Sequence, residues 1–362
     1  MGAPLVGQLS ENPENEVVVT TRRERESRGN VTYVCGNAHE PAFLFALLEK
    51  THFDAVVDFM AYSTAEFSAR FERILEKTGH YIFLSSARVY ADREHPIRES
   101  SPRLLDVSED KKFLASDEYA LAKARQENLL AASPRKNWTI VRPSITYSDT
   151  RLQFGVLEKE EWLYRALHGR SIVATREINE KLTTMTHGSD VARATAALIG
   201  VPAAFGETFH ITCNAPRKWK EIFACYCRIL KELTGTAPRI FEVGNAESVA
   251  FHGGEYQLKY ARMLDRAFDN SKIAKFIDVS AFLPPEEGLR RSLEAFLKNP
   301  KFGKIRWGAE AIKDRLSGER TPLSEIPGVS AKLEYVLVRR VPAVCRLRNG
   351  LRKICRKLKK HF

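Results

Sequence analysis

The sequence predicts a doubly wound α/β fold: a parallel sheet covered by helices on both faces, a smaller α/β region and a basic helical tail. Three observations carry this. Val/Ile-rich runs alternate with amphipathic helical patterns through the first 148 residues. The alternation breaks after Ser148 and resumes near Thr183. The final stretch, Arg339 to Phe362, holds ten Lys/Arg and no Asp or Glu.

The strand candidates are Glu16–Thr21, Val31–Cys35, Asp54–Met60, His80–Ser85 and Asn137–Arg142. They are continuous Val/Ile-rich runs, as expected of strands buried on both faces. Helical periodicity fills the gaps at Pro41–Lys50, Thr64–Lys77 and Asp117–Ala132. Beyond Ser148, Leu157–His168 and Lys218–Leu233 read as helices, with a charged helical stretch over 284–297. Thr183–Thr186 and Glu207–Thr212 read as strands returning to the main sheet.

Composition bounds the function. At 362 residues, 44% apolar and 28% charged, the chain belongs to the soluble globular class and can bury a sizeable core. No run of eighteen apolar residues exists and nothing reads as a secretory signal. The six cysteines lack metal-ligand spacing, so no metal site is expected; Cys225 and Cys227 fall in an apolar helical pattern, as core thiols do. Such cysteine usage suits a reducing cytoplasm. Outside residues 339–362 the chain has 47 Lys/Arg against 45 Asp/Glu, so the body is nearly neutral and no DNA-binding groove is indicated. Within the tail, Val344, Leu347, Leu351, Ile354, Leu358 and Phe362 recur at helical spacing among the cations. A basic amphipathic helix of this kind suits an anionic membrane surface. Docking on its own protein, or on another acidic partner, is the alternative.

The chemistry-bearing residues cluster before and on the helix Asp117–Ala132. Tyr119 and Lys123 stand four apart, one turn above the other. An ammonium so placed lowers the phenol's pKa. Ser86, at the end of the strand His80–Ser85, can share the reacting oxygen of a substrate. Together they form acid–base machinery for moving a proton while a hydride leaves or arrives at carbon.

Ser85-Ser-Ala-Arg-Val-Tyr90, Tyr119-x-x-x-Lys123, Val141-Arg-Pro-Ser-Ile-Thr-Tyr147, Thr186-His-Gly-Ser-Asp-Val-Ala-Arg193 and Phe268-Asp-Asn-Ser-Lys-Ile273 occur in that order. In this the chain resembles the extended short-chain dehydrogenase/reductases, the NAD-dependent epimerase/dehydratase family, over roughly residues 2 to 300. The resemblance implies a Rossmann domain over 1–148 plus 181–213 and a substrate-binding domain over 149–180 plus 214–300. Residues 301–338 would connect these to the tail, 339–362. It also implies catalysis by Tyr119, Lys123 and Ser86, a nucleotide-sugar substrate, and a homodimer through two helices beside the active site.

By register with the family, Gly2 falls on the third glycine of G-x-x-G-x-x-G, so the first strand and first two glycines are missing from the motif. A start placed too late or a truncation is one reading; a shortened and inactive product is the other. The cofactor contacts implied are Gly2, Thr21, Arg22, Arg23, Asn37, Met60, Ala61, Tyr119, Lys123 and Pro143. Thr20-Thr-Arg-Arg23 offers no acid where NAD enzymes place one for the ribose. Arg22 and Arg23 could hold a 2′-phosphate, which favours NADP over NAD; a solvated arginine pair is the alternative. Asn37 stands where Asp is more usual. Ala87 and Arg88 occupy the positions of the Asp-Glu pair in 4,6-dehydratases, which disfavours dehydration and points to epimerase or ketoreductase chemistry. Arg88, Arg151 and Arg262 are candidate substrate contacts, with Lys159 and Arg266 behind them. His187 and Asp190 fit helix capping and dipole roles. A non-catalytic RNA-binding relative of the fold remains the reading from another class. A cytoplasmic enzyme, peripheral at the inner membrane face, would accommodate both body and tail.

Overall fold

In the computed structural model, which describes residues 1–244 and 254–340, the apolar runs of the first half become parallel strands. In chain order these elements are α1 (Gly2–Ser10), β1 (Val17–Thr21), β2 (Val31–Cys35), α2 (Pro41–Lys50), β3 (Phe53–Asp58), α3 (Thr64–Ser68), α4 (Phe71–Glu76) and β4 (Thr78–Leu84). Two single turns follow, α5 (Leu104–Val107) and α6 (Lys111–Leu114), then α7 (Tyr119–Ala132) and β5 (Trp138–Pro143). The strand Glu207–Ile211, β5, β4 and β3 lie side by side in one parallel sheet. β1 and β2 pair in parallel with each other alone, so the expected single sheet is two sheets, with no described strand joining them.

Period-two alternation explains why both faces are apolar. Tyr81 and Phe83 of β4 pack with Leu44, Leu48, Phe67, Phe71 and Leu130. Ile82 and Leu84 pack on the opposite side with Val191, Leu198, Phe209 and Ile273. The helix Gly188–Leu198 on that side packs against α1.

Several expected elements differ. The strand expected over Thr183–Thr186 is split into two short pairings outside the four-stranded sheet, Leu182–Thr183 with Arg217–Lys218 and Thr186–His187 with Thr146–Tyr147. The helical run Thr64–Lys77 is broken, because the Arg70 Nε donates to the Glu66 carbonyl at 2.7 Å and ends α3 there. The helix expected over Leu157–His168 is confined to Leu163–Leu167. Its first residues instead close a hairpin, Gln153–Phe154 against Leu157–Glu158, around Gly155 at φ +62. The strand expected to reach Met60 ends at Asp58, because the Met60 amide turns back to donate to Asp58 Oδ1 at 2.9 Å.

The chain divides into two units: residues 1–148, 181–218 and 264–292, and residues 149–180, 219–263 and 293–362. Residues 214–218 and 264–292, expected in the smaller domain, therefore belong with the sheet. Residues 301–338 are no mere connector. The helices Trp307–Ser317 and Gly328–Arg340 share a core of Trp307, Ala311, Ile326, Tyr335 and Val338. Fully buried Arg165 binds Glu310, Asp314 and Glu319 at 2.8–3.0 Å, tying this pair into the second unit. The tail positions from Val344 to Phe362 lie outside the described residues.

One buried group gives the first unit a pH dependence. His80 Nδ1 accepts from the Gly200 amide at 3.1 Å, so Nε2 carries the proton and donates to Thr139 Oγ1 at 2.9 Å. Burial pushes its pKa down to about 4. The unfolded chain therefore binds a proton more readily, and stability present above the ordinary histidine pKa is lost as pH falls toward 4. The urea midpoint is expected to drop between pH 7 and pH 4.5, and less so in His80→Gln. An equal drop in both would assign the acid sensitivity elsewhere.

Candidate active site

α7 carries the central residues, and its start is set by two carboxylates. Asp117 accepts from the Thr64 amide and hydroxyl at 2.9 and 2.6 Å, holding the approach to the helix. Glu118 is the N-cap, accepting from the Ala120 amide at 2.8 Å. The helix thus begins at Tyr119 rather than at Asp117. That places the phenol at the positive end of the helix dipole. Tyr119 is 40% exposed, whereas Lys123, one turn on, is 2% exposed.

Lys123 is poorly satisfied where it sits. Among the described residues its hydrogen bond is a long one, Nζ to the Met60 carbonyl at 3.5 Å, and its Nζ lies 4.3 Å from the Phe83 ring centroid. An ammonium has three donors. Burial lowers its pKa to about 8 against the opposing pull of the Asp58 and Glu127 carboxylates. Asp58 is itself buried; it accepts from Tyr81 Oη and the Met60 amide, each at 2.9 Å, while desolvation raises its pKa. A buried cation with unused donors beside a reachable phenol is suited to stabilising a phenolate and binding hydroxyl groups.

Ser86 caps the short turn Ala87–Val89, its Oγ accepting from the Arg88 amide at 3.2 Å. That bond uses a lone pair and leaves the hydroxyl proton free to donate. The Arg88 guanidinium pairs with Glu118 and lies 5.1 Å from the Tyr119 ring centroid. It therefore braces the first turn of α7, with Ala87 buried beside it.

Glu127 belongs to none of the sequence motifs, yet it anchors the site. It lies 2% exposed and accepts from Arg142 Nε and Nη2 at 2.8 Å, from Arg103 Nη1 at 3.1 Å and from Ser85 Oγ at 2.5 Å. Although burial disfavours its charge, Arg142 is held well above the usual arginine pKa by that carboxylate. The network ties α7 to β5 and to the residue preceding Ser86. The available signal is spacing: positions 119, 123 and 127 form one stripe along the helix.

The remaining candidates are placed as follows. Gly2 starts α1, where a Cβ would meet the Phe59 ring in ordinary contact at 3.9 Å. Thr21 Oγ1 accepts from the Arg23 amide at 3.4 Å, and Arg22 and Arg23 are exposed just past β1. Asn37 holds the turn after β2, its Oδ1 accepting from the His39 amide at 3.2 Å. Met60 and Ala61 follow β3, where Ala61's carbonyl contacts His39 Nε2 at 3.3 Å; Pro143 ends β5. His187 caps the helix Gly188–Leu198, and Asp190 Oδ2 accepts from the Leu283 amide at 2.9 Å. Arg266 is buried, donating to the Tyr90 carbonyl at 3.1 Å. In the second unit, Arg151 pairs with Glu158 at 3.3 Å and Lys159 with Glu160 at 2.5 Å. Arg262 is 3% exposed and donates to the Gly155 carbonyl at 3.1 Å, so its place is interior.

The sequence is 25% identical over 312 residues to dTDP-glucose 4,6-dehydratase of Escherichia coli, covering 79% of this chain and 80% of that protein. Among solved structures, dTDP-glucose 4,6-dehydratase from Bacillus anthracis in complex with NAD matches with a TM-score of 0.61 at 16% identity, over 82% of this chain and 93% of that one. UDP-glucuronic acid 4-epimerase from Bacillus cereus, in complex with UDP-glucuronic acid and NAD, matches with a TM-score of 0.59 at 14% identity, over 82% and 96%. No family model matches the sequence. The architecture is thus that of a Rossmann-type α/β protein. Within that class the sequence is similar to a dTDP-glucose 4,6-dehydratase, in keeping with its resemblance to the NAD-dependent epimerase/dehydratase family.

Proposed function

We propose that the protein is a nicotinamide-dependent epimerase acting on a nucleotide-activated sugar. The observation that carries this is the buried Lys123 with unused donors, one turn from a half-exposed Tyr119 at a helix N-terminus. Tyr119 takes the proton from a sugar hydroxyl as phenolate and returns it as phenol. Lys123 holds the phenolate form by its charge, and its spare N–H groups suit the hydroxyls of a cofactor ribose. Ser86 donates its hydroxyl proton to the same sugar oxygen. When bound, the nicotinamide supplies a reversible hydride acceptor.

The donor set fits that cofactor: a cation with spare donors, Gly2 opening α1, and the β3 loop at Met60 and Ala61 beside Lys123. The exposed Arg22 and Arg23 support a preference for the 2′-phosphate of NADP. Ala87 and the Glu118-bound Arg88 offer no acid or base for removing water, which supports epimerisation over dehydration.

The test is product analysis after incubation with UDP-, dTDP- and GDP-sugars and either NAD or NADP. A C4 epimer formed without net change in absorbance at 340 nm, faster with NADP, is expected. Net formation of reduced cofactor, the reverse of ketosugar reduction, would make it a ketoreductase instead, and a 4-keto-6-deoxy product would defeat the assignment.

A further inference from the structure

The helix Gly328–Arg340 has two unlike faces. Tyr335 and Val338 are buried in the core it shares with the helix Trp307–Ser317. On its outer side Val329, Leu333 and Leu337 are 73%, 57% and 50% exposed. Four residues apart, they form one stripe. Arg340 lies exposed on the same side, at the end of the helix. Exposed apolar residues scattered singly are ordinary, but an aligned series on one helix face calls for a covering partner.

We infer that this face docks on an anionic lipid bilayer, with the stripe entering the headgroup boundary. Charge decides among the occupants. From Arg339 to Phe362 the sequence carries ten Lys/Arg and no Asp or Glu. A second copy seated on the stripe would bring two such segments together, cation against cation. A nucleic acid would answer the charge and leave the leucines without a partner. An anionic membrane surface satisfies both features, because the apolar row partitions while neighbouring Lys and Arg pair with lipid phosphates. The lysine and arginine stems add apolar cover while their heads stay at the surface.

The experiment is co-sedimentation of the full chain with vesicles of phosphatidylcholine alone and of phosphatidylcholine with phosphatidylglycerol. Binding to the anionic vesicles only, weakening as salt rises, is expected. Leu333→Glu/Leu337→Glu should reduce that binding at least about tenfold while leaving the thermal midpoint unchanged, since both side chains face outward. Should the double variant lose stability, Leu333→Ser/Leu337→Ser provides the same reading without added charge. Three results would overturn the inference: equal binding by the variants, no binding by the parent chain, or a dimer of the parent that the variants convert to monomer.

Discussion

Tyr119→Phe is expected to lower turnover by about 10²–10⁴-fold, the usual worth of a positioned acid–base group. The ring is retained, so its packing with Arg88 survives and the fold should be unaffected. Only the hydroxyl proposed to exchange the proton is lost. Cofactor binding, followed by fluorescence, should be nearly unchanged, which separates this role from a structural one. Turnover that persists in the variant would remove Tyr119 from catalysis. Lys123 should set the pH dependence. Its ammonium is present below about 8, so kcat/KM should decline as pH rises through that value. Asp58 pulls in the opposite direction from burial, raising the Lys123 pKa. Asp58→Asn should therefore move that decline to lower pH, and a profile left in place would deny the coupling.

Glu127→Ala is expected to destabilise the protein by about 3–5 kcal/mol, measured as a lowered midpoint in urea. The loss comes less from the missing carboxylate than from what remains. Arg142, 5% exposed, would be left as a buried charge without its bidentate partner. Glu127→Gln keeps the shape and two acceptor lone pairs but not the charge, so it should recover part of the loss. Removing both sides, with Glu127→Leu and Arg142→Met, should cost less than the sum of the single changes. If Glu127→Ala unfolds at the same urea concentration as the parent, the network is not what holds α7 against β5.

Much of the sheet is legible directly from residue order. The strands β2 and β5, the helix α2 and the strand Glu207–Ile211 lie within a residue of their expected bounds, because their apolar periodicity is long and uninterrupted. Departures arise where a side chain reaches back to the backbone. Arg70 ends α3 by binding the Glu66 carbonyl, and Asp58 ends β3 by accepting from the Met60 amide. Neither event leaves a periodic trace. At the site, a Tyr and a Lys four apart on a helix are legible, and so is a serine at a strand end. Glu118, Asp58 and Glu127 are not, since a paired or buried carboxylate and a solvated one look alike in sequence.

The sequence by itself determined the α/β class, the order of the strands along the chain, the spacing of the serine, tyrosine and lysine proposed for the site, and the segregation of positive charge into the last residues. These follow from local spacing and composition, which need no partner far along the chain. Only the tertiary structure decided that Lys123 is buried with donors to spare, that Arg88 is occupied by Glu118, and that Val329, Leu333 and Leu337 face outward. Burial and pairing depend on which distant segments meet, and that is a property of the packed chain rather than of any window within it.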